Sequence, residues 1–225
     1  MLLGIVSDIH SNLPALQAVL KEMKRLKVSR ILCAGDLVGY YTFPNEVIKL
    51  AGKAGIHSIA GNHDRAVVSR DHHNLNDLAS LTARWTAGQL APASLEWLRR
   101  LQPRDRLELG GRLFLVVHGS PRDDNEYVFP LTPDTWPFGE IDVDVLVMGH
   151  THIPWQGRFG TLLVINPGSV GQPRDRDIRA SFATLDTSDL QVGFHRVDYD
   201  KSKVVSAVTA CGLPPRLSER LQGGF

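Results

Sequence analysis

A chain of 225 residues with 43% hydrophobic and 22% charged side chains is long enough to bury a full core and too apolar to be disordered. Its 25 lysines and arginines against 24 aspartates and glutamates leave a net charge of +1, no general pull toward nucleic acid or an anionic membrane. No stretch approaches the roughly 20 apolar residues that span a bilayer, and two cysteines make no disulfide framework, so the expectation is a soluble protein of a reducing cytoplasm.

Met1 to Val6 reads as a first strand, since it lacks the basic start and cleavage site of a signal peptide, and it ends in Ser7-Asp8-Ile9-His10. Ser11, Asn12 and Pro14 then supply helix-start chemistry, and Leu16, Val19, Leu20, Met23 and Leu26 recur at helical spacing. The short apolar run from Arg30 to Ala34 closes on Gly35-Asp36. Strand, helix, strand in that order predicts a parallel pair with a right-handed crossover, which puts Asp8 and Asp36 at one sheet edge. A helix from about Pro44 to Ala54 and a strand from Ile56 to Ala60 bring Gly61-Asn62-His63-Asp64 to the same edge.

Residues 65 to 101 turn helical and read as a cover over one side. Two glycines, Gly110 and Gly111, then divide a hairpin that ends in His118-Gly119. A buried strand from Asp144 to Met148 ends in Gly149-His150-Thr151-His152. A second hairpin is expected around residues 157 to 160, and a third around Thr187-Ser188-Asp189. A helix from about Ser202 to Ala210 and a short amphipathic tail follow. Early crossovers and late hairpins predict an α/β fold of two stacked sheets flanked by helices, in one domain spanning 1–225.

Five apolar runs ending in polar residues are the chemical signal. Asp8, His10, Asp36, Asn62, His118, His150 and His152 are seven nitrogen or oxygen donors, more than one tetrahedral ion needs, so two ions are implied. Imidazole with carboxylate suits Mn, Fe, Zn, Co or Ni, and Asp36, from the middle of the converging strands, is the expected shared ligand. A single histidine in a loop is more often just hydrogen-bonded; the joint pattern is what argues for metal. His57 and His195 read as sheet residues, His72 and His73 as a surface loop. Asn12 caps a helix or faces phosphate, and Asn166 to Ser169 reads as a turn or, on the family resemblance given next, as a loop beside the metals. Tyr40 and Phe43 either pack their loop or stack a base. Arg65, Arg122, Arg174, Arg176 and Arg179 flank the motif loops and include candidates for clamping phosphate oxygens.

The series Asp8-Ile9-His10, Gly35-Asp36, Gly61-Asn62-His63-Asp64, His118 and Gly149-His150-Thr151-His152 resembles the motif set of the calcineurin-like metallophosphoesterase superfamily. Ser7 to Asn12 and Asn166 to Arg174 are similar to its small bacterial and archaeal phosphodiesterase branch, the YfcE-like enzymes. The resemblance implies a four-layer α/β/β/α sandwich. It implies one ion on Asp8, His10 and His152, another on Asn62, His118 and His150, and Asp36 as the bridge. Ions about 3.5–4 Å apart would share a hydroxide that attacks phosphorus. His63 would stand beside the leaving group, its tautomer fixed by Asp64, and Asn12, Ser169 and Arg174 would support substrate or ligands.

The function so implied is a two-metal phosphoesterase, with manganese the first choice. It would act on phosphodiester or phosphoanhydride bonds of small nucleotide-like substrates. The alternatives are a catalytically silent metal-binding interaction scaffold of the same fold, or a phosphomonoesterase or protein phosphatase. No membrane partner and no strong nucleic-acid signal are expected, and a homo-oligomer is left open.

Overall fold

The computed structural model describes residues 1–130, 138–139 and 141–225. Its first strand, β1 (Leu2–Val6), is buried on both faces from Leu3 onward, the signature of a central strand. β2 (Arg30–Cys33) and β3 (Ile56–Ser58) run parallel beside it, joined by α1 (Leu13–Arg25) and α2 (Pro44–Lys53). The antiparallel hairpin β9 (Ala180–Asp186) and β10 (Gln191–Val197) completes a sheet of order β10-β9-β1-β2-β3.

A second five-stranded sheet has the order β4-β5-β6-β8-β7. It comprises β4 (Arg104–Leu109), β5 (Arg112–Val117), β6 (Val145–Val147), β7 (Pro154–Phe159) and β8 (Leu162–Pro167). Here β5, β6 and β8 are parallel, while β4 and β7 flank them as antiparallel edges. Leu3, Ile5 and Leu32 from the first sheet meet Phe114, Val116, Val145 and Ile165 from the second to form the core between them. Each such side chain, fully buried, stabilises by about 1.5–3 kcal/mol relative to exposure.

The outer face of the first sheet carries Val6 and Cys33 against Leu16, Val19 and Met23 of α1 and Val47 of α2. Gly4 lets α1 come close, since a Cβ there would lie 2.7 Å from Met23 Cε. The expected helical cover is α3 (Asn62–Ser69), α4 (Asp77–Gln89) and α5 (Pro92–Arg99), packed on α2 and on one another. After α6 (Lys201–Ala210), the tail forms its own helix, α7 (Arg216–Gly223), which buries Leu217 and Leu221 beside Tyr41 and Val204. The chain is thus the two-sheet sandwich flanked by helices. Among the described residues no helix is long and apolar enough to cross a membrane.

Two boundaries differ from the sequence expectation. β3 stops at Ser58, and Asn62-His63-Asp64 is the first turn of α3 rather than the end of a strand. The Asp64 carboxylate accepts the Gly61 N–H at 3.0 Å, closing that turn as an acidic residue at the third helical position does. The second hairpin turns on Gly160-Thr161, not on 157–160, because Gly157 and Arg158 still pair with Val164 and Leu163.

Cys33 is fully buried, and burial pushes its thiol up to about 12, whereas Cys211 is exposed. At pH 8 a disulfide reagent should titrate one thiol per native chain, and two once the chain is unfolded. Two fast thiols in the native protein would mean that β2 opens.

Candidate metal centre

The six parallel strands of the two sheets all end toward one edge of the sandwich, and the candidate ligands follow their C-terminal ends. Asp8 and His10 follow β1, Asp36 follows β2, His118 follows β5, and His150 and His152 follow β6. Asn62 opens α3 after β3. Asp8, His10, Asp36, His150 and His152 have left-handed backbones, with φ from 49° to 67°. Such a residue costs on the order of 1 kcal/mol or more, and Asp and His are among the types that tolerate it best.

Backbone bonds between loops hold this conformation. Asp8 N donates to Gly35 O at 3.0 Å, His10 N to Asp36 O at 3.0 Å, Gly149 N to His118 O at 2.9 Å and Gly171 N to Asp8 O at 2.9 Å. Ser169 Oγ donates to Asp8 O at 2.7 Å, and Asn166 Nδ2 to Gly149 O at 2.7 Å.

The side chains gather into two groups that meet at Asp36. His152 Nε2 lies 3.2 Å from both Asp8 Oδ1 and His10 Nε2. His118 Nε2 lies 2.9 Å from Asn62 Oδ1 and 3.1 Å from His150 Nδ1. Asp36 Oδ2 is 3.7 Å from His10 Nε2 and 3.3 Å from His118 Nε2, so one carboxylate oxygen faces both groups. Separations of 2.9–3.7 Å match the edges of a coordination shell with bonds of about 2.0–2.2 Å.

Each ring nitrogen that points away from the site faces a backbone carbonyl. His10 Nδ1 donates to Val38 O at 3.2 Å, His118 Nδ1 to Ala34 O at 2.7 Å, His152 Nδ1 to Gln172 O at 2.5 Å and His150 Nε2 to Asn125 O at 3.1 Å. A carbonyl only accepts, so in a neutral ring the inward nitrogen carries a lone pair. Lone pair then faces lone pair in the His10–His152 and His118–His150 contacts, and buried Asp8 Oδ1 has no hydrogen-bond partner. Such a set is satisfied by positive charge in its midst. Burial opposes a proton on His118, yet Asp36 and Asp8 outweigh it and push this imidazole up to about 9. Burial also works against the charges on Asp8 and Asp36, but the surrounding histidines hold both carboxyls below their usual range. The donors therefore fit divalent ions that accept nitrogen and oxygen.

A family model for the calcineurin-like phosphoesterase superfamily domain matches residues 1–190. The chain belongs to that superfamily. An uncharacterised protein of Methanocaldococcus jannaschii is 34% identical over 98% of this phosphoesterase chain and 97% of its own length. A metallophosphoesterase from Sphaerobacter thermophilus, also 34% identical, superposes with a TM-score of 0.86 over 100% of this chain and 99% of that one. The YfcE phosphoesterase of E. coli shares the fold at 20% identity and a TM-score of 0.53, over 88% of this chain and 100% of that one. Membership places the chain among phosphoric ester hydrolases that use divalent metal ions.

The residues around the ligands divide differently from expectation. Asp64 does not touch His63 through its side chain: it accepts the N–H groups of Leu37, Val38 and Gly61 at 3.2, 3.0 and 3.0 Å, tying the Asp36 loop to α3. Burial and the Asp36 charge push its carboxyl up to about 7 against those donors. His63 Nδ1 has no partner, and the ring sits 4.8 Å from His10 and 4.5 Å from Tyr40. Burial pushes His63 down to about 4, with Asp36 opposing and Arg174 assisting, so the ring is neutral at pH 7.

Asn12 is a structural clasp rather than a phosphate contact. Its Oδ1 caps α1 at Ala15 N, and its Nδ2 donates to Gly171 O and Tyr199 Oη. Ser169 braces Asp8 from behind. Arg174 stands at the rim, bonded through one Nη to Tyr40 Oη and Gln172 Oε1, each at 3.2 Å. Arg122 and Arg179 are committed to Glu126 and Asp177, and Arg65 to Ala60 O and Asn125. Tyr40 is only 2% exposed and cannot receive a base. Sequence reasoning missed Asn125, which orients His150, and Tyr127, whose ring lies 3.9 Å from the His150 ring. The polar turn Asp123-Asp124-Asn125 soon after His118-Gly119 was the available signal.

Adding Mn²⁺ at about 100 times its dissociation constant should raise the melting temperature by on the order of 5–10 °C, and a chelator should reverse it. Asp36→Asn, which keeps an acceptor for His63 N, should lose most of that shift. A full shift in the variant would contradict a shared carboxylate.

Proposed function

We propose that this phosphoesterase hydrolyses phosphodiester or phosphoanhydride bonds in small nucleotide-class substrates. Asp8, His10 and His152 on one side and Asn62, His118 and His150 on the other would hold two divalent ions, with Asp36 facing both groups. Manganese is the first choice, and iron, zinc, cobalt and nickel suit the same donors. What supports the reading is Asp36: its Oδ2 faces both groups, while its Oδ1 accepts the His63 N–H at 2.8 Å and so sets the position of His63.

When bound, such ions act as Lewis acids on phosphoryl oxygens and activate water. The chain's residues supply the rest. His63, neutral and without a partner at Nδ1, donates a hydrogen bond to the departing oxygen. Asp64 keeps α3, and with it His63, in register with the Asp36 loop. Arg174, bonded to Tyr40 and Gln172, brings its guanidinium charge to the rim for a phosphoryl oxygen. Gly39, with φ of 93°, leaves the space His63 needs, since a Cβ there would lie 2.5 Å from His63 Nδ1.

Purified protein with Mn²⁺ should hydrolyse bis(p-nitrophenyl) phosphate faster than p-nitrophenyl phosphate. His63→Ala should lower kcat by about 10²- to 10⁴-fold with both ions retained, as measured by elemental analysis. Gly39→Ala should lower kcat in the same direction by displacing His63, again without loss of metal. Absence of turnover in wild-type protein that carries two ions would instead favour an interaction scaffold.

A further inference from the structure

Among the described residues exposed aromatic rings are few, and two of them stand together beside the metal-ligand cluster. Tyr127 is 50% exposed and Phe129 is 53% exposed. Val128 between them is buried in the core on the outer face of the second sheet, with Val117, Met148 and Trp155. Anchoring Val128 inward turns its two neighbours outward together, as alternation along an extended chain requires. Their rings are nearly parallel, 16° apart, with centroids separated by 6.4 Å. At its other end Tyr127 contacts the His150 ring, and its hydroxyl interacts with the Arg174 guanidinium.

This placement is not a by-product of a loose loop. Asn125 O accepts from His150 Nε2, Arg65 holds the Asn125 side chain, Arg104 holds Asp124 at 2.8 Å, and Arg122 pairs with Glu126. The aromatic pair is therefore presented at a set position, starting at a candidate metal ligand and running outward. Hydration of two adjacent exposed rings is unfavourable, and the loop spends four polar contacts holding them there.

We propose that Tyr127 and Phe129 form a stacking ledge for the planar base of a nucleoside phosphate whose phosphoryl group lies at the Asp36 centre. The inference rests on the phosphoesterase reading above and narrows its substrate class. Tyr127 touches His150 and Phe129 neighbours Tyr127, so a base resting on the pair would be joined to a phosphoryl group at the centre through a spacer such as the ribose of a nucleotide. Base stacking on aromatic side chains tolerates any base, so the ledge selects for a base and not for its identity.

Calorimetric titration of Mn²⁺-loaded protein with AMP and with ribose 5-phosphate isolates the base, because the two ligands share the phosphoribosyl group. AMP should bind about tenfold more tightly. Phe129→Ala should bring the ratio toward one with little change for ribose 5-phosphate, Tyr127→Ala should weaken AMP more than ribose 5-phosphate, and Tyr127→Phe should restore the preference. Equal affinities in the wild type, or a preference that survives both alanine variants, would overturn the ledge. Since the readout is binding, it is independent of turnover: a protein that cleaves bis(p-nitrophenyl) phosphate without preferring AMP keeps its proposed activity and loses the ledge. One that prefers AMP without cleaving any ester keeps the ledge and loses the activity.

Discussion

Everything at the sandwich edge is arranged around a single buried carboxylate, that of Asp36. Its backbone carbonyl ties the β1 loop through His10 N, its Oδ1 holds the start of α3 through His63 N, and its Oδ2 looks at imidazoles from both sheets. The approach is so close that a side chain at Gly61 would overlap Asp36 Oδ1, and Gly35, with φ of 93°, has Gly61 against it. A carboxylate this deeply buried is costly without positive charge nearby, and so are the left-handed ligand residues. The packed core between the sheets offsets both costs, which is why the ligands are placed on loops that leave strands and not on free loops.

The choice of imidazole tautomer follows the same economy of parts. In many metal sites an acidic side chain orients the histidine; here backbone carbonyls of Val38, Ala34, Gln172 and Asn125 do so. Those carbonyls stay in place when side chains change, so the direction of each inward lone pair belongs to the path of the main chain. Ser169, Asn166 and Asn12 are then understood as fasteners of that path, fully buried and saturated with hydrogen bonds.

Much of this was legible because parallel strands deliver their C-terminal ends to one edge, so that Asp8, His10, Asp36, Asn62, His118, His150 and His152 had to converge if the strands were rightly placed. The sandwich and its hairpins followed from alternation and from the Gly110-Gly111 turn. What could not be read were contacts in which a side chain serves a distant backbone. Asp64 follows His63 in sequence, which suggested a pair, but on a helix adjacent residues do not face each other, and Asp64 instead reaches the N–H groups of Leu37 and Val38. Tyr40 and Asn125 reach the site by the course of their loops, for which composition holds no period. The turn at Gly160 rather than Gly157 was hidden because both glycines fit a hairpin.

The centre lies across the seam of the sandwich. Asp8, His10, Asp36 and Asn62 come with the first sheet, and His118, His150 and His152 with the second. Neither half owns the complete set. The Leu3, Ile5 and Phe114 layer brings the two sheets into register. The full set of donors therefore exists only where the sheets meet, and an ion held by donors from both would fasten one sheet to the other, as a rivet joins two aligned plates.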